Sequence, residues 1–251
     1  MLASGSNRYV VRLADSVEDL RAAQRLRWLC FVARNAPDLT DGRLDSDELD
    51  GLCQHMLIED RASSQSVCCF RFLLLQSGRD IDRSYSAKHY DLSRLRGFDG
   101  PMLELGRFCV HPEWRDPDIL RLAWAALTRF VDDNGVQMLF GCSSFLGADP
   151  AFHAEALTML REHHIAPRRW LPRVKAPMVF RFNRALARRR ADPKAGLAAM
   201  PPLLRSYLVM GGWVSDHAVL DHDLDTMHVF TGLEIGAIPT GRQRLLRRTA
   251  G

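Results

Sequence analysis

Two charged residues, Glu104 and Arg107, lie three positions apart inside the otherwise apolar stretch 102–110. A positioned carboxylate can take a proton from a reacting group, and a guanidinium can bind a carboxylate through two parallel hydrogen bonds. A turn and a helix-forming segment follow, so the strand end can hold an acyl donor beside a base. The stretch therefore predicts acyl transfer with Glu104 and Arg107 as catalytic residues. A purely structural ion pair between them is the alternative.

The spacing of these two residues requires an irregular strand. Side chains three apart in a regular strand point to opposite faces. Gly106 lies between them and is a natural site for a β-bulge, which would bring both side chains to one face. We therefore predict a bulged and splayed strand here, with backbone N–H groups exposed to a ligand.

The next elements form a strand–helix–strand unit. Asp116 is a plausible N-cap with Pro117 at the first helical position, and the apolar stripe of the helix ends at residues 134–135. Residues 136–144 read as a strand, and the right-handed crossover makes it parallel to the strand of Glu104. Ser143 and Ser144, at its end, are candidate substrate-binding residues.

Two further candidate groups precede this unit. Ser16 caps a helix on which Arg27 and Phe31 share a face; Arg27 either meets an anion there or extends to solvent at the edge of the apolar stripe. The polar loop 35–50 contains Asp45, Asp47 and Asp50, which form either a solvated acidic run or a binding lip for a cation or an amine. Residues 54–59 and 66–75 then form an antiparallel hairpin.

The second half of the chain is basic in two places. Residues 166–200 are arginine-rich with interleaved aromatics, which indicates either a docking surface for an acidic carrier or anionic lipid, or a solvated face. Residues 201–212 read as a helix and 213–215 as a strand, followed by an acidic loop from Asp216 to Asp225. The basic tail from residue 240 is predicted to be mobile.

Length, composition and net charge limit the classes of function. The 251 residues are 47% hydrophobic, with a net charge of +4 and no recognised nucleic-acid-binding motif. The six cysteines lack a C-x-x-C pair and read as buried free thiols, with no metal site. No run of about 18 apolar residues occurs, so we expect no transmembrane helix. The expected protein is a single cytoplasmic domain, which can also bind peripherally at the inner membrane face.

The order of elements resembles the GNAT acyltransferase fold over nearly the whole chain, which implies an α/β (α+β) architecture: a mixed, mainly antiparallel sheet with a splayed central strand and helices on both faces. The acetyl-CoA branch has a glycine-rich turn for the pyrophosphate, whereas this chain has Arg115-Asp-Pro-Asp118. Arg27, Phe31, the three acids and Glu104-Leu-Gly-Arg-Phe108 resemble the acyl-homoserine-lactone synthase pattern. His55-Met-Leu-Ile-Glu-Asp60, Glu104 through Arg115 and Pro201 through Leu208 resemble the ornithine-acyl carrier protein N-acyltransferases of bacterial ornithine lipid synthesis.

This resemblance implies transfer of a 3-hydroxyacyl chain from acyl carrier protein to the α-amine of ornithine or a related amino acid. It implies no bound cofactor, because the donor is carried on the phosphopantetheine of the carrier. Asp45, Asp47 and Asp50 would suit a distal ammonium, with Phe31 and Phe108 as further substrate-binding residues. Tyr207 occupies the place of a proton-donating tyrosine, although Gly212 replaces the phenylalanine that follows in relatives. Arg115, Arg168, Arg169 and Arg173 would dock the carrier.

Two alternatives remain at this level. One is an acyl-CoA-dependent N-acetyltransferase, which the missing glycine-rich turn disfavours. The other is a non-catalytic membrane-surface binding protein, which the basic segment 166–200 favours.

Overall fold

The structure, a computed structural model, describes residues 8–33 and 43–250, and the chain divides into two compact units. The first comprises Met1–Leu73, Leu105–Gly135 and Gln243–Gly251; the second comprises Leu74–Glu104 and Val136–Arg242. The boundary falls inside one strand, so Glu104 belongs to the second unit and Arg107 to the first.

The described strands and helices are numbered in chain order. The strands are β1 (Tyr9–Leu13), β2 (Gln54–Asp60), β3 (Ser66–Leu75), β4 (Tyr90–Asp91), β5 (Met102–Val110), β6 (Met138–Leu146), β7 (Arg173–Val174), β8 (Val179–Phe180), β9 (Trp213–Asp221) and β10 (Thr226–Glu234). The α-helices are α1 (Val17–Phe31), α2 (Ser86–His89), α3 (Pro117–Asp133), α4 (Ala154–His163), α5 (Phe182–Ala185), α6 (Pro193–Ala198), α7 (Pro202–Val209) and α8 (Thr240–Ala250).

Strand pairing in each unit is mostly antiparallel. In the first unit β1 pairs with β2 and β2 with β3 in this way. In the second unit β6, β10, β9 and β8 are successive antiparallel neighbours, whereas β5 and β6 are parallel from Met102↔Met138 to Glu104↔Phe140. The predictions of a mixed, mainly antiparallel α/β sheet and of a parallel β5–β6 pair are confirmed.

Side-chain caps fix the two long helices of the first unit. The Ser16 hydroxyl accepts a hydrogen bond from the Asp19 N–H at 3.1 Å at the start of α1. Asp116 accepts one from the Asp118 N–H at 2.9 Å at the start of α3, and Pro117 takes the first helical position. Each cap satisfies an N–H that has no partner inside the helix, so both predicted starts are confirmed.

The irregular point of β5 lies at Arg107 rather than at Gly106. Arg107 has φ 51°, which lies in the left-handed region that residues other than glycine rarely adopt. A Cβ added at Gly106 would meet no atom within 4 Å, so space does not require glycine there. An irregular backbone was predicted in this strand at Gly106, whereas the unusual backbone conformation lies at Arg107.

A two-stranded ribbon in the second unit joins the basic segment to the chain around residue 90. Tyr90 pairs with Val174 and Asp91 with Arg173 in antiparallel register. The basic segment 166–200 also contributes to a core: Phe182 and Met200 are buried with residues of α4, α7 and β9. This segment is therefore part of the packed structure of its unit.

Two C-terminal predictions need comment. The strand predicted at 213–215 extends to Asp221, so the predicted acidic loop was wrong for Asp216 and Asp221. His217 and Val219 are buried, and this burial maintains the strand beyond Asp216. The basic tail predicted to be mobile forms α8, where Arg247 bonds Asp132 at 2.9 Å. Within the described residues no helix is long and apolar enough to cross a membrane.

Candidate active site

Glu104 is held by backbone and hydroxyl donors of the second unit. Its side chain is 5% exposed, and its two carboxylate oxygens accept hydrogen bonds from the Tyr85 N–H at 2.8 Å and the Ser86 N–H at 2.7 Å. The Ser86 hydroxyl donates to the same carboxylate at 2.6 Å. All three partners are donors, which suits the ionised carboxyl group because that form only accepts hydrogen bonds. The base predicted from the sequence is thus fixed in position.

A second group of charges, here called the arginine–aspartate cluster, lies in the first unit. Its members are Arg27, Arg71, Arg107, Asp45, Asp47 and Asp50. Arg27 is 1% exposed, and its guanidinium contacts Asp45 at 2.7 Å and Asp50 at 2.6 Å. Arg27 therefore meets anions, as one of its two interpretations predicted, and the anions belong to the protein.

Hydrogen bonds favour the ionised forms of Asp47 and Asp50 in this cluster. Burial alone would raise the pKa of Asp50, but hydrogen bonds from Arg27, Gln24 and Arg71 outweigh it and hold that pKa well below its ordinary value. The pKa of Asp47 is lowered in the same way, against its burial, by Arg71. Three guanidinium groups thus face three carboxylates, and the cluster is close to neutral.

Part of the cluster remains open to solvent. The Asp45, Asp47 and Arg107 side chains are 15%, 18% and 18% exposed, whereas Arg71 is 4% exposed. Arg107 contacts Asp45 at 3.1 Å and Asp47 at 3.6 Å, and its guanidinium carbon lies 5.9 Å from the centre of the Phe31 ring. This partly exposed rim carries two carboxylates and one guanidinium.

Sequence reasoning missed two residues of these groups. Arg71 lies in the apolar strand β3 and donates to Asp47 and Asp50 at 2.6 and 2.5 Å. A single arginine inside the run Val67-Cys-Cys-Phe-Arg-Phe-Leu73 was a usable signal, because a buried charge needs a partner. Ser86, by contrast, lies in an irregular segment that gives no such signal.

The other residues predicted to bind substrate or donate a proton lie in both units. Phe108 stacks on Phe70 with ring centres 5.4 Å apart in the first unit. In the second unit Ser143 is buried and accepts a hydrogen bond from the Thr231 hydroxyl at 2.9 Å, while Ser144 is exposed. Tyr207 is buried on α7, and burial raises its pKa, so its hydroxyl stays protonated.

The predicted docking arginines differ in their surroundings. Arg115 is exposed in the first unit. In the second unit Arg169 forms an ion pair with Glu234 at 3.0 Å, and the Arg168 carbonyl accepts from Arg94 at 2.9 Å. Arg173 is exposed and belongs to β7.

A group of buried histidines in the second unit was also missed. His228 and His217 are almost fully buried, and the Nε2 atom of each has no hydrogen-bond partner among the described residues. The Tyr90 hydroxyl donates to the His228 carbonyl at 2.7 Å, and the His89 ring lies edge-on to His228 at 5.1 Å. Burial, assisted by the charges of His89 and His217, lowers the pKa of His228 to about 3.

We expect His228 to make the protein sensitive to mild acid. Its folded pKa lies below the unfolded value, so between about pH 6.5 and pH 3 the unfolded chain binds one proton more, and the free energy of unfolding falls by about 1.4 kcal/mol per pH unit. His228→Gln should remove this part of the slope in urea unfolding measured between pH 7 and pH 5. The exposed control His222→Gln should keep it; equal slopes in both variants would refute the assignment.

Comparisons with known proteins identify the family of the chain. Residues 26–125 match the sequence family described as an acetyltransferase (GNAT) domain. An L-ornithine N(alpha)-acyltransferase of Rhodobacter capsulatus is 34% identical, with 100% of this chain and 99% of that protein aligned. A protein of the same name from Brucella abortus is 33% identical, covering 91% of this chain and 85% of the other.

Solved structures support the same fold. An N-acyl amino acid synthase from uncultured soil microbes superposes with a TM-score of 0.52 at 11% identity, covering 97% of both chains. A CoA-dependent acyl-homoserine lactone synthase gives a TM-score of 0.50 at 15% identity, covering 97% of this chain and 90% of the other. These two structural similarities support only the fold. The family is shown by the 34% sequence identity to the Rhodobacter capsulatus protein over the whole chain. The chain is an acyltransferase and belongs to the family of L-ornithine N(alpha)-acyltransferases.

Proposed function

We propose that this chain transfers a fatty acyl group, of the 3-hydroxy type, from acyl carrier protein to the α-amine of ornithine. The observation that carries the proposal is the full-length similarity to proteins named for that acceptor. Two groups of residues support it: a buried, fixed carboxylate at Glu104, and an exposed rim of opposite charges at Arg107, Asp45 and Asp47.

The rim matches a cationic amino acid in charge. The carboxylates of Asp45 and Asp47 can accept hydrogen bonds from the distal ammonium of ornithine, while the guanidinium of Arg107 can bind its carboxylate. Ornithine can exchange ion pairs with this rim, because its distal ammonium replaces Arg107 on Asp45 and Asp47 while its carboxylate pairs with the freed guanidinium. We assign Phe31, whose ring lies beside Arg107, to the wall of this subsite.

Glu104 serves as the general base. The α-ammonium gives one proton to the Glu104 carboxylate, directly or through a water molecule, and the neutral amine attacks the thioester carbonyl carbon. The C–N bond forms and the attacking nitrogen loses its second proton, while Glu104 releases the first proton to solvent. The C–S bond breaks, and the departing thiolate takes up one proton from an enzyme donor, which the proton lost by the nitrogen restores. Tyr207 remains the proposed donor of that proton, in keeping with its protonated hydroxyl.

The start of α3 favours a carrier over CoA as the source of the acyl group. In acetyl-CoA enzymes of this fold, free N–H groups at the corresponding helix start receive the pyrophosphate. Here the Asp116 carboxylate already accepts from the Asp118 N–H, and two acids would repel phosphate. Arg115, Arg168, Arg169 and Arg173 are the residues we assign to contact with the acidic carrier. Because the product is a lipid, we also propose peripheral contact with an anionic membrane, which vesicle flotation tests.

The test compares donors and acceptors with purified protein. We expect transfer from 3-hydroxyacyl carrier protein to ornithine, with a kcat/KM at least about tenfold above that for acetyl-CoA or for an amino acid without a distal amine. Mass spectrometry of the product identifies the acylated nitrogen. Efficient use of acetyl-CoA with no transfer from the carrier would refute the donor, and transfer to another amine would refute the acceptor.

A further inference from the structure

An arginine-lined pocket of about 280 Å³ lies in the second unit. Four arginines line it, Arg94, Arg173, Arg181 and Arg184, together with a single acid, Asp216. They come from different elements: Arg94 from the helical turn Ser93–Gly97, Arg173 from β7, and Arg184 from α5. The pocket is therefore formed by the folded unit and not by one charged run of sequence.

The protein offsets only part of the positive charge of this pocket, because Asp216 is the one acid in its lining and Arg173 also interacts electrostatically with Asp91. Among the described residues, none forms an ion pair with any of the four arginines within 4 Å. Asp216 instead contacts the His217 ring at 2.7 Å. The Nη1 group of Arg94 donates to the Arg168 and Leu171 carbonyls at 2.9 and 3.2 Å, which orients the guanidinium while leaving its charge without an anionic partner in these two contacts.

Such an arrangement favours an anionic ligand with several acceptor oxygens. Guanidinium groups that share one recess repel each other, and an anion bound among them removes that repulsion. The planar fork of arginine matches the oxygens of a phosphate group, which it binds through two parallel hydrogen bonds. A phosphate diester, whose two non-bridging oxygens share its negative charge, satisfies more of these donors than a neutral ligand or one that bears an ammonium group.

The pocket is built on the same backbone that holds Glu104. Its wall strand β7 pairs with β4, and just beyond it the Ala176 N–H donates to the His89 carbonyl at 3.0 Å. Lys175 donates to the Ala87 carbonyl at 2.5 Å. His89 and Ala87 belong to α2, whose first residue, Ser86, binds the Glu104 carboxylate.

We propose that this pocket binds the phosphate of the phosphopantetheine that carries the acyl group, so that the thioester end extends along β7 and α2 toward Glu104. The inference rests on the proposed function, because it presupposes a phosphopantetheine-linked donor. Carrier-bound and CoA-bound donors share this phosphate, and the experiment separates them.

The test removes the phosphate from the donor and the guanidinium from the protein in turn. The substrates are 3-hydroxyacyl carrier protein, 3-hydroxyacyl-CoA and the 3-hydroxyacyl thioester of pantetheine, which lacks the phosphate. The protein variants are Arg181→Gln combined with Arg184→Gln, both exposed, and the matched control Arg188→Gln, exposed outside the pocket. We expect the double variant to raise KM at least about tenfold for whichever phosphate-bearing donor is used, with kcat and the KM for ornithine unchanged.

With the pantetheine thioester, the double variant and the wild type should react alike, because the lost contact is already absent. An equal loss with all three donors, or none with any, overturns the inference while leaving acyl transfer intact. Direct binding provides a readout independent of turnover: 4′-phosphopantetheine should bind the wild type at least about tenfold more tightly than pantetheine, and the double variant should not distinguish them. Binding of anionic vesicles that depends on these arginines, without this preference, would make the pocket a lipid site and overturn the inference.

Discussion

Replacing Glu104 with Gln is expected to lower kcat by roughly 10²–10⁴-fold, the range that general acid–base catalysis contributes. The amide keeps the size of the carboxylate and one acceptor oxygen but cannot take a proton from an ammonium. KM for the acyl donor should change little. Steady-state rates with ornithine and acyl carrier protein measure both quantities, and the acid limb of the pH–rate profile should disappear with the base.

Two controls separate chemistry from folding in this variant. The new NH2 group would face donors from Tyr85 and Ser86, so we expect a loss of stability of about 1–3 kcal/mol, seen in urea unfolding, with the fold retained. Glu113→Gln removes the same charge from an exposed side chain and should react like the wild type. Turnover of Glu104→Gln within about threefold of the wild type would remove Glu104 from the mechanism.

Arg27→Met should produce the largest loss of stability, about 3–5 kcal/mol, because breaking a buried ion pair leaves its partner charges uncompensated. Arg27 is 1% exposed and contacts both Asp45 and Asp50, whereas methionine fills similar space with no donor. A loss of this size is a large part of the 5–15 kcal/mol typical of a whole domain. Urea unfolding at neutral pH measures it.

The same helix offers a matched control. Arg25 is exposed two positions away on α1 and pairs with Glu18, so Arg25→Met should leave the unfolding midpoint nearly unchanged. Combining Arg27→Met with Asp50→Asn should cost less than the sum of the two changes, because the second removes a charge that the first leaves unpaired. Strict additivity, or a stable Arg27→Met protein, would contradict the assigned pairing.

The sequence predicted those features that depend on local signals. Helices α1 and α3 begin where Ser16 and Asp116 cap them, and residues 66–75 alone specify a buried strand. The position of Glu104 in a strand parallel to β6 also followed from the order of elements. These features need only neighbouring residues or the rule of crossover handedness.

Features that depend on distant partners escaped prediction. Arg71 acquires its role from aspartates more than twenty residues earlier in the chain. Ser86 does so from Glu104, eighteen residues later. The irregular backbone of this strand was expected as a bulge at Gly106, whereas the left-handed conformation falls on Arg107, because local preference does not include the ion pairs that hold its side chain. Asp216 was interpreted as a loop residue, although burial on both sides of it maintains β9.

The backbone hydrogen bonds to the Glu104 carboxylate have a consequence for mutational scanning. Tyr85 donates to Glu104 through its backbone N–H, and side-chain replacements at this position keep that donor, so an alanine scan would not detect this hydrogen bond. Proline alone removes that donor. Proline at position 85 causes no backbone strain, because Tyr85 has φ −58° and the preceding residue, Ser84, is extended. In a complete substitution library, a position that tolerates most residues and rejects proline is therefore the expected signature of a backbone group that positions a catalytic carboxylate.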